Sequence, residues 1–125
     1  MTSNNSEISV LIVEDNPDNQ QLATWILEDE GFRVTCADTA ELGLEMLERE
    51  DFNIVLMDIS LPGMDGKEAT RVIRSNPRFA KLPVLALTAH AVQGERESIE
   101  ACGVSGLVTK PVDEDELLSR IRELL

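Results

Sequence analysis

Two apolar patterns alternate along this chain. One is the short, nearly continuous run, as in Ile8-Ser9-Val10-Leu11-Ile12-Val13, which suits a strand buried on both faces. The other is the longer segment whose apolar positions recur at helical spacing. A helix is predicted from Asn16-Pro17, with Asn as N-cap and Pro in the first turn, Leu22 and Ile26 on one face and Gly31 as the stop. Phe32 to Cys36 reads as a second strand, and Thr39 caps a second helix carrying Leu42, Leu44, Met46 and Leu47. Asn53 to Met57 is the third strand, closed by Asp58, and the turn-rich stretch Leu61-Pro62-Gly63-Met64-Asp65-Gly66 follows it. A third helix places Ala69, Val72 and Ile73 inward and ends near Asn76-Pro77. Pro83 to Leu87 is the fourth strand, and a helix runs from about Val92 to Ala101, ending at Gly103. Leu107 to Thr109 is a brief fifth strand, and Asp113 caps a last helix with Leu117, Leu118, Ile121, Leu124 and Leu125 apolar. Five such alternations imply an α/β protein with a parallel sheet covered on both faces. No internal repeat, low-complexity stretch or interdomain linker interrupts it.

In an open α/β sheet, chemistry gathers outside the carboxyl ends of the strands. The first strand delivers Glu14 and Asp15 there, the third Asp58, the fourth Thr88 and the fifth Lys110. Three carboxylates on one rim repel each other and stay ionised only beside cations. Lys110 is one cation. A bound metal is the other, and oxygen ligands without Cys or His suit Mg²⁺, with Mn²⁺ as a substitute. An octahedral Mg²⁺ that keeps several waters needs only Asp15, Asp58 and a backbone carbonyl, with Glu14 acting through water. A carboxylate beside a metal, a lysine and a hydroxyl is arranged for phosphoryl chemistry: Asp58 attacks phosphorus, Lys110 neutralises the transferred oxygens and Thr88 donates a hydrogen bond to one of them.

Composition narrows this further. The chain has 125 residues, enough for one domain, and 42% hydrophobic residues, enough for a core. Its 11 Lys and Arg against 24 Asp and Glu give a net charge of −13. That surface repels nucleic-acid backbones and anionic membranes, so neither is an expected partner, whereas a basic patch on another protein is attracted. No apolar run is long enough to span a bilayer. Met1 to Glu7 is polar, reads as a flexible tail ahead of a domain at 8–125, and lacks the features of a secretion signal. Cys36 and Cys102 have no CxxC spacing and only His90 beside them in composition, so a zinc site is excluded and two reduced thiols in a cytoplasmic protein are expected.

The motifs together resemble the receiver domain of two-component response regulators, over about Ile8 to Leu125. Matching pieces are Val-Glu-Asp-Asn at 13–16, Met-Asp-Ile-Ser-Leu-Pro-Gly-Met-Asp-Gly at 57–66, Leu-Thr-Ala at 87–89 and Thr-Lys-Pro at 109–111. The resemblance implies a three-layer, doubly wound (βα)₅ flavodoxin-like fold whose five parallel strands run in the order 2-1-3-4-5. It implies Asp58 as phosphoacceptor from a histidine kinase or a histidine phosphotransfer protein, and Mg²⁺ held by Asp15, Asp58 and the carbonyl of Ser60, with Glu14 completing the acidic pair. Thr88 becomes the switch hydroxyl, Lys110 the phosphate contact, and the Lys110–Pro111 bond cis. Slow self-dephosphorylation goes with the family, so the domain is a switch and not an enzyme acting on outside substrates. One departure stands out: Leu107 occupies the position where the family commonly has an inward-rotating aromatic residue, and the chain has no Tyr.

Output is expected through protein–protein contact on the helix 4–strand 5–helix 5 face, or by passing the phosphoryl group onward. A receiver module of a hybrid histidine kinase is a second reading, suggested by Asn16-Pro17 with Asn19. A metal-dependent phosphatase with an aspartyl nucleophile needs a second acid two residues after Asp58, where this chain has Ser60. A flavin-binding relative would find its phosphate repelled by Glu14-Asp15-Asn16. Ser60 and His90 are placed to tune water access to the phosphorylated site, with His90 otherwise a surface loop residue. Trp25 is expected to pack helix one, Met57 and Met64 to pack around the site, and the cysteines to act as small hydrophobes.

Overall fold

A computed structural model describes residues 7–89 and 93–125. The elements are β1 (Ser9–Val13), α1 (Pro17–Asp29), β2 (Arg33–Ala37), α2 (Ala40–Arg49), β3 (Ile54–Asp58), α3 (Gly66–Ser75), β4 (Val84–Thr88), α4 (Gln93–Ala101), β5 (Gly106–Thr109) and α5 (Glu114–Leu124), with a 3₁₀ turn at Pro77–Phe79. All strand pairs are parallel and the order is β2-β1-β3-β4-β5, as the resemblance implied. His90, and the start of the fourth helix expected at Val92, lie outside the described residues.

Three helix starts follow the caps read in the sequence, Asn16, Thr39 and Asp113, and the structure adds Asp65, which the sequence placed only in the turn-rich loop. The Asn16 side chain accepts from the amides of Asp18 and Asn19, Thr39 from Leu42, Asp65 from Glu68 and Asp113 from Glu116. Each satisfies amides that have no partner within the helix and contributes about 1 kcal/mol.

Alternation along the central strands sorts the core into two layers. Val10, Ile12, Leu56, Leu85 and Leu87 pack with Leu27 of α1 and Leu117 and Ile121 of α5. Leu11, Val13, Val55 and Met57 pack with Leu47 of α2 and Ile73 of α3 on the other face. A smaller cluster joins Ile59, Ala86 and Leu107 to Ile99 of α4. With helices on both faces, the fold is the three-layer sandwich expected.

Three side chains depart from their expected faces. Trp25 is 63% exposed and does not pack helix one. The buried stripe of α1 is Ala23, Ile26 and Leu27; at about 100° per residue Trp25 lies on the opposite side, and Leu22 at the stripe's edge, also exposed. Val72, expected inward, is 43% exposed, because α3 turns Gly66, Ala69, Thr70 and Ile73 to the sheet. Leu42 and Leu125 are likewise exposed at their helix margins. The cysteines are free, Cys102 buried and Cys36 half-buried, as small hydrophobes would be.

Arg74 ties several connections together. Its guanidinium donates to the carbonyls of Gly103 (2.8 Å), Phe79 (3.0 Å) and Leu82 (2.7 Å) and to Ser105 Oγ (3.2 Å). Arg74→Met keeps the stem and deletes all these donors. It is expected to cost about 2 kcal/mol, since the carbonyls lose charge-assisted bonds. A urea midpoint equal to wild type would contradict that role.

Candidate functional site

The register sets the strand ends side by side. Val13 pairs with Met57, Asp58 with Leu87, and Thr88 with Thr109. Glu14, Asp58, Thr88 and Lys110 are therefore delivered to one edge of the sheet from four different strands. The Lys110 amide donates to the Thr88 carbonyl (2.7 Å), which extends the β4–β5 ladder past the strand and anchors the backbone that carries the ammonium. The Lys110–Pro111 bond is cis.

Asp58 is 3% exposed and Glu14 1%, whereas Asp15 is open to solvent. Ligand oxygens of Glu14, Asp15 and Asp58 all lie within 4.8 Å of one another. Lys110 Nζ answers two of these carboxylates, at 2.8 Å from Glu14 Oε1 and 3.2 Å from Asp58 Oδ1. The Ser60 amide donates to Asp58 Oδ1 (3.1 Å) and the Asn16 amide to Glu14 Oε2 (3.2 Å). Burial pushes the Glu14 carboxyl above its ordinary range; the Lys110 bond opposes this and nearby Asp58 adds to it. Burial alone would lower the Lys110 ammonium, but its bond to Glu14 and the charges of Asp58 and Glu14 outweigh it and raise the group instead.

The donor set fits a hard divalent cation. Three clustered carboxylates with one lysine among them leave a negative excess, every ligand atom is oxygen, and Asp15 opens the site to solvent. The fold subtends this cleft where a doubly wound sheet ordinarily places its ligand site.

Leu107 lies at the centre of β5, paired with Ala86, and packs inward against Ile59, Ala86 and Ile99. Thr88 closes β4 and is buried. Met57 packs in the core directly before Asp58, and Met64 packs half-buried against the same face.

Two further residues matter at the site, of which Gln20 carried no clear signal in the sequence. Gln20 Nε2 donates to the Glu14 carbonyl (2.5 Å) and to Asp38 Oδ1 (2.7 Å); in a sequence it reads as one more polar residue on a helix. Gly66 begins α3 with its amide donating to the Ile59 carbonyl (3.1 Å), so close beneath the acidic loop that no Cβ fits. In the sequence it stood after Asp65 in the turn-rich loop and closed the matched stretch 57–66, without a sign that its Cβ position is blocked.

An acidic cleft at the carboxyl edge of a 2-1-3-4-5 sheet defines a doubly wound protein whose ligand site suits a cation. The response regulator receiver domain model matches residues 10–122, and the chain belongs to that family. It is 40% identical over 111 residues to the sensor histidine kinase GacS of Pseudomonas protegens, covering 86% of this chain and 12% of that protein. It is 37% identical over 118 residues to an uncharacterized 14.6 kDa protein of Leptolyngbya boryana, covering 94% of this chain and 90% of the other. The chain thus spans about an eighth of the first relative and most of the second. Among solved structures, the receiver domain of the sensor histidine kinase PA1611 from Pseudomonas aeruginosa superposes with a TM-score of 0.88 at 36% identity, over 94% of this chain and 96% of that one; it holds a magnesium ion coordinated in its active site cleft.

Proposed function

We propose that this receiver domain is switched by transient phosphorylation of Asp58. The observation that carries the reading is the buried Asp58 carboxylate, which meets Lys110 at 3.2 Å inside an acidic cluster at the sheet's carboxyl edge. In the transfer, an Asp58 oxygen forms the new bond to phosphorus as the phosphorus–nitrogen bond of a phosphohistidine breaks. The electron pair goes to the imidazole nitrogen, which takes a proton from solvent. Lys110 leaves its pairing with Glu14 to hold a phosphoryl oxygen, and the Thr88 hydroxyl donates to another. Asp15, Asp58 and the Ser60 carbonyl would hold Mg²⁺, or Mn²⁺ in its place, with Glu14 reaching it through water. The cation supplies positive charge for the transferred oxygens.

A histidine kinase or histidine phosphotransfer protein is the donor in this reading, in keeping with the sensor kinases to which the chain is similar. The residue after next to Asp58 is Ser60, not a second acid, which favours a switch over a phosphatase acting on outside substrates. The α4–β5–α5 face carries the output. With Leu107 packed under Ile99, the signal travels through Thr88 and the backbone after it in place of an aromatic rotation. A cytoplasmic location fits free cysteines and a chain whose described helices are too short and polar to cross a membrane. The second reading, a receiver module of a hybrid kinase, is favoured by the match to about an eighth of GacS. In either, the domain occupies 8–125 with 1–7 as its tail.

Incubation with acetyl phosphate and Mg²⁺ is expected to add one phosphoryl group, and borohydride reduction followed by peptide mass spectrometry to place it at residue 58. Excess EDTA should stop the labelling. Label at another residue, or label that persists in EDTA, overturns the assignment.

A further inference from the structure

We infer that Gln20 is a positioning residue for the cation site, holding the Glu14–Asp15 peptide so that the Asp15 carboxylate faces Asp58. The inference rests on the divalent-cation reading above.

Glu14 is tied at every polar atom. Its amide donates to the Ala37 carbonyl (3.1 Å), Oε1 accepts from Lys110 (2.8 Å) and Oε2 from the Asn16 amide (3.2 Å). Its carbonyl is the acceptor end of the peptide unit whose other end is the Asp15 amide. β2 ends at Ala37, so the β1–β2 ladder goes no further. Gln20, in the first turns of α1, supplies the bond instead through Nε2 (2.5 Å).

The same NH₂ group donates to Asp38 Oδ1 (2.7 Å), in the connection between β2 and α2. An amide nitrogen has two hydrogens, and here each has an acceptor. Asp38 thus orients the Gln20 amide, and Gln20 orients the peptide entering Asp15. Asp15 itself is exposed, and its side chain takes no hydrogen bond among those that hold Glu14 and Asp58. Its aim is therefore set by its backbone. Groups that orient a metal ligand in this way typically change metal affinity by about 10- to 100-fold when removed.

Gln20→Met keeps the side-chain length and the helix propensity and deletes the donor. Mg²⁺ titration by calorimetry on the full chain is expected to show affinity lower by about tenfold. Labelling by acetyl phosphate should then need more Mg²⁺ for half-maximal rate yet reach the wild-type rate at saturation. Gln20→Lys, whose ammonium donates to both acceptors, should recover most of the Mg²⁺ affinity. A Met variant that binds Mg²⁺ like wild type overturns the role of Gln20 alone. A Met variant whose saturated labelling rate and melting temperature fall together also overturns it, since that marks a general structural part. A wild-type chain that takes up no Mg²⁺ overturns the cation site, and this inference with it.

Discussion

Asp58→Asn protein is expected to take up no phosphoryl group from acetyl phosphate and, without Mg²⁺, to melt higher than wild type. The first outcome follows from chemistry: a carboxamide offers no anionic oxygen to attack phosphorus. The second follows from the charges around residue 58. Among the described residues Lys110 at 3.2 Å attracts the carboxylate and the Ser60 amide donates to it at 3.1 Å, while Glu14 and Asp15 repel it from within 4.8 Å. The group is also 3% exposed and has given up most of its hydration. Asn removes one negative charge from a buried acidic cluster in which Lys110 is shared between Glu14 and Asp58, so the variant is expected to gain stability. The gain is about 1–2 kcal/mol, or roughly 4–8 °C. Adding Mg²⁺ should raise the melting temperature of wild type and do little for the variant. Phosphoryl label on the Asp58→Asn variant sinks the chemical assignment, and a lower metal-free melting temperature sinks the electrostatic one.

Gly66→Ala is the second large expected effect, and helix propensity predicts its opposite. Alanine is favoured over glycine in a helix by about 1 kcal/mol. At this position, however, a Cβ would overlap the Asp58 carbonyl oxygen and lie 2.8 Å from Ile59 Cα and 2.9 Å from the Asp58 carbonyl carbon. Those atoms are backbone of β3 and its continuation, held on one side by the β4 ladder and by the Ile59 amide on the Leu87 carbonyl (3.0 Å). They cannot rotate away as a side-chain tip can. The chain must shift α3 or the end of β3 that carries Asp58, at a cost of about 3 kcal/mol. Urea unfolding should show the lower midpoint, and phosphoryl labelling should slow because the displaced backbone carries Asp58. An unchanged or raised midpoint would show that α3 moves aside freely.

Much of the site was legible because strand ends are legible. Glu14, Asp15, Asp58, Thr88 and Lys110 each follow a β-branched or Leu-rich run, and the parallel topology that such runs imply sends all their carboxyl ends to one rim. Three helix starts were equally plain, since Asn16, Thr39 and Asp113 act on amides two or three residues away; Asp65 does the same for α3 but read only as part of a turn. Faces of helices were less secure. Leu22, Trp25 and Val72 are apolar at nearly helical spacing, and periodicity alone does not say which of two overlapping stripes meets the sheet. On α1 that stripe centres on Ala23, because a small residue lets the helix approach β-strand side chains closely.

By itself, then, the amino-acid sequence determined the alternation of strands and helices, the caps, the glycine stops and the set of polar residues at the strand ends. These depend on neighbours within a few residues and on the burial that a period of two or 3.6 demands. The order of the strands was not among them; it came with the resemblance to the family. Only the tertiary structure decided that Lys110 bridges Glu14 and Asp58, that Gln20 reaches the Glu14 carbonyl, that Gly66 tolerates no side chain and that Trp25 faces solvent. Each of these depends on how separate elements come to rest against one another, whether Lys110 on Glu14 across 96 residues or Gln20 on a carbonyl six residues away in another element, and no local preference carries that information.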